Sequence, residues 1–358
     1  MQDQMQDQMQ DSPGVSAGGP PLGDHHASFL TSSPRRRESI REGIRRGDFD
    51  GLRGSMASSI ANISSRFCTV GNTKEELEPL LHDLWYACYQ TAMHTSHSSA
   101  ELDRLAFDLC LARGRGCLKS PAQSDGSFRS FPWEDLPFFV TDMTDFWINH
   151  CATMGATQRL NLSYFLAKLA STSLDYDGLC RVALVLFRDT FETVRPLGSL
   201  AELGNATASP DATIQDLSIA ALLPAAYAWI RHAGLKIFQL SVISWNDCSV
   251  TIGKGGATFT ESELGRKSTS PAGFSPWRWL HWMKRLQEIA DEATQAGETS
   301  LADDALNAIC YMLGHVEDSG TLVETELDAR PGFIRHQGRY KDYTAYTEWM
   351  QSSDCRET

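Results

Sequence analysis

The run Gly253-Lys254-Gly255-Gly256 is one motif in this sequence whose residue types could do chemistry. Glycine-rich loops cradle phosphate groups with their backbone N–H groups, but the nucleotide-binding P-loop also needs a serine or threonine directly after its lysine. Here Gly255 follows Lys254, and Cys248 stands where that motif requires its first glycine. We therefore interpret the run as a loop that does not bind a nucleotide.

Histidine and cysteine provide two further candidates. His94 and His97 are three residues apart, with Glu101 nearby, but a zinc site needs three or four ligands and the sequence nominates no others. His150 directly precedes Cys151. Neighbours on a helix point about 100° apart, so such a pair rarely shares the hydrogen bond of a catalytic dyad. We predict no metal site and no cofactor, and we assign no catalytic residue.

Three of the nine tryptophans lie within six residues and are surrounded by basic side chains. A surface that combines aromatic rings with cations binds flat ligands or partner peptides. Trp279 and Trp282 fit the buried stripe of a helix, which leaves Trp277 as the exposed ring. Core packing accounts for most of the pattern. The remaining candidate for a ligand or partner surface consists of Trp277, Arg278 and His281.

Two hydroxyl side chains stand in sequences that basophilic kinases accept. Ser39 follows Arg36-Arg37-Glu38, and Thr269 follows Arg266-Lys267-Ser268. Residues 35–46 hold six arginines and two glutamates, a net charge of +4, much of which a phosphate on Ser39 would cancel. The same run could serve in nuclear import or bind an acidic partner. A solvated basic run without function is the commonest alternative.

Composition excludes several classes of function. The chain has 358 residues, of which 42% are hydrophobic, and a net charge of −13 that opposes nucleic-acid binding. No apolar run reaches the roughly 20 residues of a membrane span. The N-terminus lacks the features of a signal peptide, and the nine cysteines show no pairing pattern. We expect a cytoplasmic or nuclear protein whose partners are proteins or a small molecule, with no nucleic acid and no membrane.

The elements that must position these residues are helical. From residue 72 onward, apolar side chains recur at spacings of three and four. Capping boxes at Thr73–Glu76 and Ser98–Glu101 mark two helix starts, and Pro132, Ser209-Pro210 and Ser275-Pro276 mark three others. The pattern predicts an all-α fold of about eight amphipathic helices in one domain, arranged as a bundle or as a short α-α superhelix.

The first part of the chain differs in composition from the rest. It opens on the repeated sequence Met1-Gln2-Asp3-Gln4 and continues with a stretch rich in Gly, Pro and Ser. Such a segment buries too little apolar surface to offset its backbone entropy, so we predict a disordered arm over residues 1–66. Met56 opens a more ordinary sequence, which leaves open whether residues 1–55 are translated.

The helical domain is predicted to span residues 67–318. Within it, residues 246–275 are rich in Gly, Ser and Thr and are longer than a typical structured loop, which favours a flexible insertion. Residues 319–358 form a polar extension. One further helix could dock there, because aromatic residues recur at spacing three at Tyr340, Tyr343, Tyr346 and Trp349.

Aromatic and leucine-rich motifs follow one another along residues 74–316. They are Leu84-Trp85-Tyr86 with Leu102–Leu105, Phe131–Pro137 with Phe146-Trp147, Leu160–Leu162 with Phe165–Ala167, Ala221–Ala226 with Trp229-Ile230, and Trp277–Leu286. In this order they resemble a family of filamentous-fungal proteins catalogued as domain of unknown function 3632. The resemblance implies an all-helical fold and brings no catalytic residue, substrate or cofactor. Family members are sometimes encoded near secondary-metabolite genes.

Two functions remain in view. The recognisable features are packing residues and modifiable segments, so the leading hypothesis is a non-catalytic interaction or regulatory protein. The alternative is an enzyme or small-molecule-binding protein of fungal metabolism, including secondary metabolism. Its pocket would lie between helices, as it does in many helical proteins.

Overall fold

The computed structural model describes residues 34–123, 126–172, 177–203, 211–270, 272–317, 319–330, 332 and 334. These residues are mostly helical, and the predicted all-α class is confirmed. The helices are α1 Pro34–Arg45, α2 Phe49–Ser65, α3 Lys74–His94, α4 Ala100–Arg113, α5 Phe139–His150, α6 Ala156–Ser171, α7 Cys180–Phe191, α8 Leu200–Leu203, α9 Ile219–Val242, α10 Val250–Gly253, α11 Ala257–Thr260, α12 Glu263–Lys267, α13 Pro276–Ala296, α14 Thr299–Gly314 and α15 Leu322–Asp328.

A short antiparallel hairpin interrupts the helices. Its strands are β1 Cys117–Lys119 and β2 Ser130–Pro132, with Leu118 opposite Phe131. Single 3₁₀ turns lie at Trp133–Asp135, Cys151–Thr153, Asp177–Leu179 and Ile214–Asp216, and a π-helical turn lies at Arg66–Val70.

Local sequence signals explain where the predicted helices begin and end. Thr73 accepts a hydrogen bond from the backbone N–H of Glu76, whose carboxylate accepts one from the Thr73 backbone, as the capping box predicted. Ser275 caps α13 ahead of Pro276. That helix ends at Gly297, whose φ of 77° is the left-handed conformation glycine favours. The eight helices expected from apolar spacing correspond to α3–α7, α9, α13 and α14.

Two of the expected helix starts are displaced. The helix predicted to open at Pro132 begins at Phe139, because Leu136 and Phe138 have φ values of +40° and +66° that a right-handed helix cannot contain. The helix predicted to follow Ser209-Pro210 begins at Ile219, capped by Ser218. Ser209 and Pro210 lie outside the described residues.

The helix α9 is the centre of the core. It is apolar on nearly every face, and Trp229 and Ile237 on it are completely buried. Helices α6, α7, α13 and α14 pack around it, and α3 packs against α5 and α6. Among the described residues, no helix is both long enough and apolar enough to cross a membrane.

The disordered arm expected over residues 1–66 is wrong for the part that the structure describes. Residues 34–65 form α1 and α2, which pack on α3 and bury Ile40, Leu52, Met56 and Ile60. These apolar side chains have helical spacing, but the many Arg, Gly and Ser residues between them obscured it. Residues 1–33 lie outside the described residues.

The flexible insertion expected at residues 246–275 contains packed structure instead. It holds α10, α11 and α12, and it buries Phe259 and Leu264 against α13. Its glycines permit close approach: a Cβ on Gly265 would lie 2.0 Å from the carbonyl oxygen of Phe259. High glycine content here reflects tight packing, which composition alone cannot distinguish from mobility.

The polar extension beyond residue 318 contains one short helix in its described part. This is α15, which packs against α13 through its buried Val323 and Leu327. The helix suggested by Tyr340, Tyr343, Tyr346 and Trp349 lies outside the described residues.

Candidate ligand-binding groove and the buried ion pair beside it

The Gly253–Gly256 run closes onto a buried arginine rather than around an open phosphate site. Nη1 of Arg278 donates to the carbonyl oxygens of Gly253, at 2.9 Å, and Gly273, at 2.5 Å. Nε and Nη2 of Arg278 donate to the two carboxylate oxygens of Glu192, at 2.7 and 2.9 Å. Both side chains are fully buried. A carbonyl oxygen of the run thus binds a guanidinium group of the same chain.

Glu192 is held by donors from separate segments. Besides Arg278, its carboxylate accepts hydrogen bonds from Nε1 of Trp282 and from the backbone N–H of Gly256, both at 2.7 Å. Burial raises the pKa of Glu192, but the Arg278 guanidinium and these hydrogen bonds outweigh it, so the pKa lies below its usual value. The pair is fully satisfied by protein, which indicates a structural role.

The predicted surface of Trp277, Arg278 and His281 is not formed. Arg278 is completely buried, and His281 is buried with Nε2 3.5 Å from the Thr258 hydroxyl. Burial lowers the pKa of His281, which favours a neutral imidazole. Trp277 alone is half-exposed, and Nζ of Lys267 lies 5.1 Å from its ring centroid. Trp277 and Arg278 are neighbours on α13 and His281 lies one turn later, but the three side chains have different surroundings.

Both candidate phosphorylation sites are accessible. Ser39 is exposed on α1, and Thr269 is exposed after α12, on the rim of a groove that it shares with Trp277. Exposure meets the first requirement of a kinase substrate. Modification of either hydroxyl stays a prediction.

The two histidines of the candidate metal pair point to different partners. Nδ1 of His94 lies 2.9 Å from the carbonyl oxygen of Gln90, and its Nε2 lies 3.0 Å from Nε2 of Gln158. His97 packs instead against the ring of Tyr164, with centroids 5.7 Å apart. Within the described ranges, no group of three or more His, Cys, Asp or Glu side chains is placed to hold a metal ion.

A groove of about 750 Å³ lies between α5 and α7, and the Ile214–Asp216 turn and α10 also contribute to its lining. We call it the α5–α7 groove. A volume of this size suits a drug-sized organic molecule, for which pockets span about 300–1,000 Å³. Its apolar wall is formed by Trp147, Ile148, Cys151, Val185, Ile214 and Ile252.

The α5–α7 groove also contains a small set of polar groups. Asp189 is one of the two acids in the lining, and burial raises its pKa against the opposing effects of Arg188 and Arg195. Nε of Arg188 lies 3.6 Å from Oδ1 of Asp189, and its Nη1 donates to the carbonyl oxygen of Thr251 at 2.7 Å. Asn149 and Gln215 add amide donors and acceptors. The groove can therefore pair an apolar ligand with a few directed hydrogen bonds.

Cys151 lines this groove but is poorly suited to nucleophilic chemistry. Burial raises the pKa of its thiol to about 12, so it is protonated at neutral pH, whereas a nucleophilic cysteine acts as the thiolate. His150, its neighbour in sequence, is exposed and lies near the ring of Phe146. The arrangement favours binding over covalent catalysis.

Sequence reasoning missed Asp189 and Glu192. One signal could have pointed to them, because both acids stand at the C-terminal end of α7, where the helix dipole disfavours negative charge. Acids in that position need another source of stabilisation. Here Arg188 and Arg278 supply it from the same helix and from α13.

Comparison with known proteins identifies relatives of the chain. The sequence pattern of the family described as "Protein of unknown function (DUF3632)" matches residues 85–286. A protein of Penicillium oxalicum described as "Oxopyrrolidines biosynthesis cluster protein G" is 42% identical over 296 residues, which cover 79% of this chain and 80% of that protein. No solved structure matches the chain. The family resemblance drawn from the sequence motifs is thus confirmed.

Proposed function

Because the chain belongs to the family of proteins of unknown function DUF3632, we propose that it binds a small, partly apolar organic molecule of fungal secondary metabolism in the α5–α7 groove. The observation that carries the proposal is the groove itself, which combines an apolar wall with a half-enclosed carboxyl at Asp189. The Penicillium relative is described as a protein of an oxopyrrolidine biosynthesis cluster, which supports a ligand of that metabolic class.

The groove favours a ligand with an apolar body and one polar end. Ile148 and Val185 would cover the apolar body, which gains stability in proportion to the area it removes from water. Arg188 and Asp189 would face the polar end, where a carbonyl group can accept from the guanidinium and an N–H group can donate to the carboxylate. A lactam ring carries both kinds of group.

A thermal-shift screen of the purified chain against fungal metabolites, with oxopyrrolidines included, tests the proposal. A specific ligand at a hundredfold excess over its Kd stabilises the folded state by about 2.7 kcal/mol. Ile148→Asp should abolish the shift, because Ile148 is 49% exposed and its replacement places a charge on the apolar wall without opening the core.

Phe107→Asp is the matched control, since Phe107 is 61% exposed on α4 and does not line the groove. We expect it to keep the shift. The absence of any saturable ligand, or equal binding by the two variants, would contradict the proposal.

A regulatory interaction is the second candidate, and the exposure of both Ser39 and Thr269 favours it. A phosphate on either hydroxyl would lie beside basic residues, Arg35 and Arg36 at the first position and Arg266 and Lys267 at the second. Phosphopeptide mapping from cells tests this candidate. Finding both positions unmodified under all growth conditions would remove it, and a stoichiometric protein partner in a pull-down would support it.

A further inference from the structure

A second cavity lies on the other side of the segment that follows α7. It has a volume of about 470 Å³ and is bounded by residues 193–195, α12 and α13. Thr193 lines both this cavity and the α5–α7 groove, so only that segment separates them. We call this second cavity the α12–α13 cavity. The proposed function makes no use of it.

Most charges around the α12–α13 cavity neutralise one another. Nη1 of Arg285 lies 3.2 Å from Glu288 and 2.9 Å from Glu292, and Nη2 of Arg330 lies 3.2 Å from Glu263. These contacts use all three of the acids that line the cavity. The lining also contains two further cations, Arg195 and Lys284.

Arg195 is a buried cation that is bonded only to neutral groups. It is 7% exposed, and its Nε donates to the backbone carbonyl of Asp189 at 2.5 Å. Its Nη1 donates to the carbonyl oxygens of Ile214 and, at 2.8 Å, Leu217. Its third nitrogen, Nη2, makes no hydrogen bond to any residue in the described part of the chain.

A buried guanidinium with no carboxylate bonded to it is unusual, because burying a charge is costly unless the charge is paired. Burial lowers the pKa of Arg195 by more than the nearby carboxylate of Asp189 raises it, so that carboxylate compensates the charge only in part. Lys284 adds a second positive charge to the lining, and its exposed side chain forms no ion pair with a described residue. A ligand that brought a negative charge would offset both.

We infer that the α12–α13 cavity binds a small oxyanion, a carboxylate or phosphate group, through Arg195 Nη2 and Lys284. Guanidinium N–H groups donate strong, charge-assisted hydrogen bonds to either oxyanion. A cavity of this size admits a small anion, while the chain's net charge of −13 disfavours an extended polyanion. The inference is independent of the ligand proposed for the α5–α7 groove.

Titration of the full chain with malonate and, separately, with inorganic phosphate tests the inference. Ionic strength is held constant with sodium chloride, and binding is measured by calorimetry and thermal shift. We expect saturable binding of at least one anion. Lys284→Met should weaken it by about fivefold or more, since it removes one of the two cations that would contact the anion. A response to malonate alone or to phosphate alone identifies the preferred oxyanion.

Lys119→Met is the matched control, because Lys119 is exposed on β1 and does not line the cavity. It should leave anion affinity unchanged, as should Ile148→Asp in the other groove. Arg195→Lys keeps the charge and tests the guanidinium geometry. Its stability is measured first, because Arg195 also bonds three carbonyl groups. No binding beyond the chloride control, or equal losses in Lys284→Met and Lys119→Met, would overturn the inference.

Discussion

At the scale of single residues, Glu192 is a completely buried carboxylate that is paired with Arg278. Its two carboxylate oxygens accept four hydrogen bonds, two from Arg278 and one each from Trp282 and Gly256. The carboxylate is completely buried and stays ionised because the guanidinium faces it directly. The stability of this region therefore depends on the pair being complete.

Glu192→Gln is expected to lower the free energy of unfolding by about 3–5 kcal/mol, because it leaves the buried Arg278 without a counter-charge. Urea unfolding at pH 7 measures the loss. Glu261→Gln is the control, since Glu261 is exposed at the end of α11. This substitution should change the free energy of unfolding by no more than about 0.5 kcal/mol. Similar losses in the two variants would contradict the structural role of the pair.

Asp304 provides a pH-dependent prediction. Burial, and then the neighbouring Asp303, raise the pKa of Asp304 to about 6, well above the value near 3.8 expected in the unfolded chain. The folded state therefore binds a proton more tightly, and the ionised side chain destabilises it as pH rises from about 4 to about 6. Asp304→Asn should remove this penalty.

We expect Asp304→Asn to be more stable than the native chain at pH 8, by about 1 kcal/mol after allowance for solvent screening, with no such advantage at pH 4. Chemical unfolding at several pH values gives the comparison. An advantage that is constant with pH would show that the ionisation of Asp304 is not its cause.

At the scale of elements, α11 is held close to the end of α7. A Cβ on Gly256 would lie 2.3 Å from the carbonyl oxygen of Glu192, so Gly256→Ala must displace α11 and lengthen the hydrogen bond from Gly256 to the carboxylate. We expect a loss of stability. In α2, nothing lies within 4 Å of a Cβ built on Gly54, so Gly54→Ala should instead stabilise by about 0.5–1 kcal/mol.

The two alanine variants are compared by chemical unfolding under identical conditions. We expect the changes in the free energy of unfolding to have opposite signs. In α2 the added methyl group reduces the conformational entropy of the unfolded chain, whereas at α11 it creates a steric clash. Stabilisation in both would mean that residues 246–275 pack loosely, as their composition had suggested.

Apolar spacing predicted the central elements, and it failed where other residue types dominate. The fully buried leucines of α3, Leu77, Leu81 and Leu84, have an unbroken helical spacing. In α2, by contrast, Leu52, Met56 and Ile60 are separated by Ser, Gly and Ala, and the segment was assigned to a disordered arm. The prediction of a flexible insertion at residues 246–275 is wrong because a segment whose glycines allow close packing has the same composition as a mobile loop.

The candidate sites were hidden from sequence for a different reason. The α5–α7 groove takes Ile148, Asp189, Ile214 and Ile252 from four separate segments, and no spacing rule connects them. Arg278 illustrates the opposite error, since its tryptophan neighbours suggested a surface while its charge is directed inward to Glu192. Chemistry between distant segments becomes visible only once the helices are assembled.

At the scale of the whole molecule, α1 and α2 belong to the core. Ile40 and Leu52 are buried, and Nε of Arg53 donates to Asp108 on α4 at 2.8 Å. A chain begun at Met56 would lose α1 and the first half of α2. Each buried aliphatic side chain contributes about 1.5–3 kcal/mol, so we expect the Tm to fall by roughly 10 °C.

A chain begun at Pro34 keeps both helices and is the control for this truncation. Thermal unfolding by circular dichroism at 222 nm, the standard helix signal, compares the two with the full chain. Equal Tm values for the truncation at Met56 and the control would show that α1 and α2 contribute nothing to the folded core.

The shared carboxylate at Glu192 also limits how this protein can vary through descent. A lone replacement of Glu192 or of Arg278 strands an opposite charge away from water, and a lone replacement of Trp282 leaves one carboxylate oxygen short of a donor. A substitution of Glu192, Arg278 or Trp282 alone is therefore expected to destabilise the protein. We therefore expect related proteins either to keep the three residues together or to replace them together with an apolar cluster of similar volume.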